Sequence, residues 1–230
     1  MSHGPDTEEL LKRIADIRDS YWHTAERITL DVSGLNITSL PKLPAVLEVL
    51  YCHETEITML PELPPILKVL YCQRTPIISL PELPLDLEVL YCYNTDITSL
   101  PRLPRGLIDL GCQNTQITSL PQLPTSLESL DCYNTPMLEL PELPVSLKYL
   151  DCSHMSITEL PELPKSLINL FCNNCPNLVI QRLKYERSIV YKKRWSEYRE
   201  QASKKRCQQR NKQIKEELSA EVWKSERAFE

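Results

Sequence analysis

The residues of this 230-residue chain that could do chemistry are cysteines and histidines. Cys172 and Cys175 are separated by two residues, the spacing of half a structural zinc site. Such a zinc ion needs four ligands, usually from two pairs, and the sequence has no second pair. His53 and His154 have no partner at metal-binding spacing. We therefore expect structural roles for both cysteines, surface positions for both histidines, no metal site and no other cofactor.

Cys207 is a candidate nucleophile because Lys204, Lys205, Arg206 and Arg210 lie close to it in the sequence. Neighbouring positive charge favours the reactive thiolate form of a cysteine. No catalytic motif surrounds this residue. The sequence favours an incidental cysteine in a basic segment, and it predicts no catalytic residues and no enzyme.

A twenty-residue repeat organises most of the chain. The pair Leu-Pro recurs without insertion at 40/41, 60/61, 80/81, 100/101, 120/121, 140/141 and 160/161. A fixed period of this length predicts a solenoid, in which each copy buries its apolar face against its neighbours. In each copy an alternating segment predicts a strand, with Leu50 and Cys52 inward and Val49, Tyr51 and His53 outward. The Leu-Pro-x-Leu-Pro segment predicts an extended or polyproline II return, because proline fixes φ and lacks a donor.

Seven cysteines occupy one position of the repeat. Side chains at one position of stacked parallel strands point the same way, which is poor geometry for a disulfide. Free cysteine behaves as a small buried hydrophobe. The sequence predicts a ladder of free cysteines in a reduced, intracellular protein, formed by Cys52, Cys72, Cys92, Cys112, Cys132, Cys152 and Cys172.

The repeat resembles that of a known family. Leu-x-x-Leu-x-Cys-x-x-Thr-x-Ile-x-x-Leu-Pro-x-Leu-Pro, as at 67–84, resembles the short leucine-rich repeat of the Leu-Pro type. This type is found in secreted bacterial effectors and in proteins of giant DNA viruses. Residues 30–41 are similar to the opening coil of the effectors. The resemblance covers about residues 28–180 and implies a leucine-rich-repeat solenoid of eight coils, with a parallel β-sheet on one face.

Two departures from the family pattern concern buried positions. Cysteine replaces the usual third core leucine, and threonine replaces the usual asparagine, whose side chain binds backbone groups of the turn. A threonine hydroxyl both donates and accepts, so we expect it to do the same over a shorter reach. These threonines are Thr55, Thr75, Thr95, Thr115 and Thr135. Leu35 and Met155 break the pattern, and we expect local irregularity there.

Helices are predicted at both ends of the solenoid. Residues 1–27 contain a capping box at Asp6-Thr7-Glu8-Glu9 and an apolar stripe of helical spacing, which predicts a capping helix at about 7–26. Residues 181–230 contain no Gly or Pro and predict one long helix, or two with a break near 203–210. Residues 28–180 form the solenoid between them. The chain has no recognisable signal peptide and no run of eighteen apolar residues.

Charge is distributed unevenly along the chain. Residues 41–180 carry 7 basic and 16 acidic side chains, whereas residues 181–230 carry 15 basic and 8 acidic ones. A basic segment could contact nucleic acid or an anionic membrane. Its acidic residues are spaced to pair with basic ones along a helix, and it lacks a stacking motif. The pattern favours a solvated capping or dimerising helix, and it argues against nucleic acid. Attraction between the basic segment and the acidic solenoid is a further possibility.

The outward strand positions differ between copies and are the predicted binding surface. Tyrosines supply large contact area at low entropic cost, so we expect a protein partner on the concave strand face. The alternative is that stacked tyrosines merely support the sheet. The two aspartates of this face would favour a basic ligand, or else form a solvated acidic surface. The predicted partner-binding residues are Tyr51, Tyr71, Tyr91, Tyr93, Tyr133, Asp131, Asp151 and Phe171.

The predicted function is that of a non-enzymatic protein-binding module. The resemblance implies a viral or bacterial protein that engages host proteins, in host cytoplasm. One alternative is a structural protein that assembles through residues 181–230. Another is the remnant of an effector ubiquitin ligase, because effectors with similar repeats often carry a ligase domain with a catalytic cysteine. That domain is much larger than the fifty residues available here.

Overall fold

The computed structural model describes residues 5–20, 27–179 and 188–227. The chain divides into two units, Met1–Lys184 and Tyr185–Glu230. Within the described residues, no helix has the length and apolar character needed to cross a membrane.

The first unit is built from one helix and eight short strands. Helix α1 spans Pro5–Ser20. Strands β1 to β8 span Thr29–Asp31, Val49–Tyr51, Val69–Tyr71, Val89–Tyr91, Asp109–Gly111, Ser129–Asp131, Tyr149–Asp151 and Asn169–Phe171. They form one parallel sheet in chain order, and each residue pairs with the residue twenty positions further on, as Leu50 pairs with Leu70. The predicted leucine-rich-repeat solenoid of eight coils, with its strands on one face, is confirmed.

The core lies between the strands and the returns, because both contribute leucines to it. In the second coil Leu50, Cys52 and Ile57 are fully buried, and Leu60 and Leu63 of the return close the coil from the other side. The residues equivalent to Leu50 and Cys52 are buried in every following coil, whereas some of those equivalent to Leu60 and Leu63, such as Leu80 and Leu83, are only half-buried. The seven cysteines of the predicted ladder are all buried and free. Burial raises the pKa of the Cys52 and Cys92 thiols to about 12, so both are held in the uncharged form.

Two outward positions are less exposed than the alternating pattern predicts. Val49 and Val69 point away from the core, yet they are buried, with only 4% and 9% of their surfaces exposed. In-register β-branched neighbours on adjacent strands cover each other, and Thr29, Val49 and Val69 are such neighbours. The outward side of the sheet therefore exposes fewer side chains than the sequence predicts.

A residue in the left-handed backbone conformation follows each strand, two positions after the ladder cysteine or its equivalent. It allows the chain to turn while its N–H still bonds the next coil, as Glu54 N–H bonds Gln73 O at 3.1 Å. Gly34 fills this position in the first coil with φ of 71°. The later coils place non-glycine residues there, with φ between 52° and 58°: Glu54, Arg74, Asn94, Asn114, Asn134, His154 and Asn174.

The five threonines that replace the usual asparagine donate hydrogen bonds within their own coils. Each hydroxyl donates to the carbonyl oxygen of the cysteine three residues earlier, at 2.6–2.8 Å. Met155 has no hydroxyl, and there the Cys175 thiol donates to the Cys152 carbonyl at 3.2 Å. His154 keeps its left-handed φ and its N–H bonds Asn173 O at 2.8 Å. The turn also differs there: residues 153–154 form a hydrogen-bonded turn, as residues 33–34 do before Leu35, whereas coils two to five have only a bend at the position of 54–55. The local irregularity expected at Leu35 and Met155 is therefore present.

Helix α1 packs on the first coil. Leu10 and Ile17 are buried, and the guanidinium of Arg13 donates to the Asp31 carbonyl. The helix begins at Pro5, one residue before the expected N-cap, because proline suits the first helical position. The Asp6 carboxylate instead accepts a hydrogen bond from the Asn36 N–H at 3.1 Å. Residues 21–26 of the predicted helix lie outside the described part.

The second unit contains one helix, α2, which spans Ser188–Arg227. It runs through 203–210 without interruption, so of the two sequence-based alternatives the structure has the single helix. The Lys204 ammonium pairs with the Glu200 carboxylate one turn earlier, at 2.7 Å.

Candidate functional site

Three columns of outward side chains form the candidate site, which we call the strand face. The first column holds the residues that open the strands: Thr29, Val49, Val69, Val89, Asp109, Ser129, Tyr149 and Asn169. The second holds the residues that close them: Asp31, Tyr51, Tyr71, Tyr91, Gly111, Asp131, Asp151 and Phe171. The third holds the residues two positions further on: Ser33, His53, Gln73, Tyr93, Gln113, Tyr133, Ser153 and Asn173.

Three tyrosines of the second column form a continuous aromatic row. The Tyr51 and Tyr71 ring centroids are 5.0 Å apart, edge to face, and the Tyr71 and Tyr91 rings stack at 4.7 Å. All three are half-buried. Burial raises the pKa of the Tyr71 hydroxyl above its ordinary value. The row is rigid because its rings support one another, and it still offers aromatic surface to a partner.

Gly111 interrupts this row and opens a notch. The Tyr91 ring leans over the glycine, and its hydroxyl donates to the Asp109 carboxylate at 2.6 Å. A Cβ at position 111 would lie 3.1 Å from Cδ1 of Tyr91 and 3.2 Å from Oε1 of Gln113. At these distances the ring or the amide would have to shift by a few tenths of an ångström, so glycine gives both side chains room beside the notch.

A cavity of about 320 Å³ lies at the notch. Its lining residues are Tyr91, Tyr93, Asp109, Gly111, Gln113, Ser129, Asp131 and Tyr149. They come from four adjacent coils, and they combine aromatic rings with carboxylates.

The electrostatics of the cavity are dominated by negative charge. Burial, and then the neighbouring Asp151 carboxylate, raise the pKa of Asp131 to about 6, although the Tyr133 N–H hydrogen bond opposes the shift. Burial and the same two aspartates raise the pKa of Tyr149 to about 12. Burial and the hydrogen bond with Asp109 also raise the pKa of Tyr91. Burial is the first cause of each shift, and the acidic groups that lie together add to it.

The structure brings together only some of the predicted binding residues. Tyr91, Tyr93 and Asp131 line the cavity, whereas Tyr51 and Tyr71 extend the row away from it. The remaining three lie elsewhere on the strand face. The Tyr133 hydroxyl accepts from the Asn114 amide at 3.1 Å, the Asp151 carboxylate accepts from the Ser153 N–H at 2.9 Å, and the Phe171 ring lies 5.7 Å from that of Tyr149.

Sequence reasoning missed five lining residues: Asp109, Gly111, Gln113, Ser129 and Tyr149. The signal was present in two forms. Gly111 interrupts a column of tyrosines, and the first outward column changes from valine to polar residues at Asp109. Considering all three outward columns together would have found the site.

The candidate chemical residues show no reactive arrangement in the described part. The Cys172–Cys175 pair is buried, and among the described residues no three His, Cys, Asp or Glu side chains are arranged to hold a metal ion. The side chain of Cys207 lies outside the described part.

Comparison with known proteins identifies similar solenoids. No family model matches the chain, and no curated protein is similar to it. A Shigella effector LRR domain superimposes with a TM-score of 0.64 and 29% identity, over 76% of this chain and 80% of that one. YopM from Yersinia enterocolitica gives 0.59 and 28%, over 80% of this chain and 51% of YopM.

A leucine-rich effector protein from Yersinia pestis, also YopM, gives a TM-score of 0.65 and 26% identity, over 74% of this chain and 54% of that one. The matches thus span about half the length of the two YopM proteins. The chain is therefore a short leucine-rich-repeat protein, with a solenoid similar to those of bacterial effectors.

Proposed function

We propose that this protein is a non-enzymatic protein-binding module that recognises its partner on the strand face. The observation that carries the proposal is the row of half-buried tyrosines beside a cavity, on a surface whose side chains fill no part of the core. Rigid aromatic side chains lose little entropy on binding and give large contact areas. The similar solenoids of bacterial effectors support a protein partner.

The proposal extends to the setting of the interaction. Similarity to effector solenoids supports a bacterial protein that acts on host proteins. The viral alternative rests on the resemblance of the repeat sequence alone. The buried free cysteines favour a reducing compartment, because none needs a disulfide partner for its packing.

The test is affinity capture from candidate host lysates, with three forms of the protein compared. The first variant is Tyr51→Ala/Tyr71→Ala/Tyr91→Ala, which removes the aromatic row. The second is Lys204→Glu/Lys205→Glu/Arg206→Glu, which reverses three exposed charges on α2. Circular dichroism should first show that both variants fold.

We expect partner loss only in the tyrosine variant. The tyrosines support no core position, so this loss would reflect the strand face and not unfolding. A partner that binds the tyrosine variant normally and is lost on charge reversal would move recognition to α2. That result would overturn the proposal.

Self-association through α2 is the second candidate, and the observation that favours it is the uninterrupted length of the helix. Forty residues in a single helix extend for about 60 Å, and most helical stability in proteins comes from packing against other elements, which a second copy of the helix would supply. Light scattering after size-exclusion chromatography, over a hundredfold range of protein concentration, tests it. A mass that stays at 26.6 kDa throughout would exclude a stable assembly in that range.

A further inference from the structure

We propose that the cavity at Gly111 binds a cationic side chain, arginine or lysine, of the partner protein. The proposal rests on the proposed function, because it assigns chemistry to part of the same strand face. The occupant of the cavity would be a basic segment of another protein.

The first argument is the absence of a counter-charge. The three columns of the strand face, all of them described, contain no lysine or arginine. They do contain Asp109, Asp131 and Asp151 on three consecutive coils, and the first two line the cavity. Partly buried carboxylates without a cationic partner are costly, and burial with mutual repulsion is what raises the pKa of Asp131. An incoming cation would remove that cost.

The second argument is that the notch holds a buried acceptor without a partner. The Oε1 atom of Gln113 is buried and has no hydrogen-bond partner among the described residues. It lies 3.2 Å from the place that a Cβ at position 111 would occupy, so it points into the space that glycine leaves open. Buried acceptors without partners are rare in folded proteins, and a ligand that donates several hydrogen bonds would satisfy this one. Guanidinium and ammonium groups donate and cannot accept.

The third argument is the aromatic part of the lining. Tyr91, Tyr93 and Tyr149 contribute rings beside the two carboxylates. Aromatic faces attract cations, and they also pack against the apolar stem of a lysine or arginine. A bare metal ion would make no use of these rings. Among the described residues, moreover, no group of three ligating side chains could hold a metal ion. The combination fits an organic cation.

The experiment is a titration of the full chain with short capped peptides, followed by NMR of the tyrosine ring resonances. The probes are acetyl-Ser-Gly-Arg-Gly-Ser-amide, the same peptide with lysine, and the same peptide with citrulline. Citrulline keeps the length and planarity of arginine but lacks its charge. We expect saturable shifts with arginine or lysine at millimolar affinity, and at least about a tenfold loss with citrulline.

Variants then locate the binding. Asp131→Asn keeps the side-chain shape and removes one charge, and Gly111→Tyr fills the notch with the residue found elsewhere in the column. Glu139→Gln is the matched control, because Glu139 is an exposed carboxylate outside the cavity. We expect about a tenfold loss of affinity in Asp131→Asn, loss of binding in Gly111→Tyr, and no change in Glu139→Gln.

Three outcomes would overturn the inference. They are equal binding of the citrulline peptide, undiminished binding to Asp131→Asn, and no ring shifts with either basic peptide at about 10 mM. None of these would decide the proposed function. A captured partner that requires the tyrosine row but tolerates Asp131→Asn would leave that function standing and overturn the cation site alone.

Discussion

Replacing Asp131 with asparagine should stabilise the fold at neutral pH, although it removes a group from the candidate site. The pKa of Asp131 rises from its ordinary value of 3.8 to about 6 in the folded protein, first because of burial and then because of Asp151. The folded state therefore holds a proton between these pH values that the unfolded state has lost. Stability then falls as pH rises through that window, and above it the ionised carboxylate destabilises the folded state.

The magnitude follows from the size of the shift. A displacement of about two pKa units corresponds to about 3 kcal/mol for an isolated group. Asp131 is only half-buried, so solvent and salt screening reduce the expected effect to about 1 kcal/mol. Asparagine keeps an oxygen that can accept the Tyr133 N–H hydrogen bond, so little else is lost.

The assay is urea unfolding of wild type and Asp131→Asn at several values between pH 4.5 and pH 7.5. The variant should be more stable by about 1 kcal/mol at pH 7.5, and the difference should shrink towards pH 4.5. Glu139→Gln controls for net charge, because it also removes one carboxylate from an exposed position. Parallel pH curves for wild type and Asp131→Asn, or lower stability of the variant at pH 7.5, would refute the reasoning.

Three further perturbations test the interior of the solenoid. Thr95→Val should cost about 1–2 kcal/mol in urea unfolding, because it leaves the buried Cys92 carbonyl without its 2.6 Å hydrogen bond, whereas Thr95→Ser should cost less. In a Cys207→Ala variant, thiol labelling should proceed only as fast as unfolding, because the other eight cysteines are buried; rapid labelling of folded protein would contradict this. His154→Asn should raise the unfolding free energy by about 0.5 kcal/mol, because asparagine tolerates the left-handed φ of 58° better and can still bond Asn174. An unchanged or lower urea midpoint would count against strain at this position.

The repeat allowed much of the fold to be predicted from sequence. A constant period leaves only one register for neighbouring coils, so Leu50 had to pair with Leu70 once both were assigned to strands. Paired prolines excluded helical returns, because proline fixes φ and lacks a backbone N–H donor. The inward column followed from strand alternation, and Leu50 and Cys52 are fully buried as expected.

The site was predicted less well, because it depends on side-chain orientations that no period encodes. The Tyr91 hydroxyl donates to Asp109 beside the room that Gly111 leaves, and this arrangement involves three residues in two coils. The left-handed residues illustrate a different limit. Asparagine and glycine indicate such a position, but Glu54 and Arg74 adopt it because the coils around them impose the turn. Tertiary structure overrides local preference at those two positions.

The constant register has a consequence for how such a protein can change length. Each coil presents the same inward groups and the same hydrogen-bonding edge to the next, so removing residues 92–111 would join Tyr91 directly to Cys112 and leave compatible neighbours in contact. The sheet would shorten by one strand, about 4.8 Å, and the notch would disappear with Gly111. Duplicating the same segment would instead place two glycines on neighbouring strands and widen the notch by that spacing. A gene in which twenty-codon units are gained or lost by recombination could therefore vary the width of the notch on the strand face while the core remains intact.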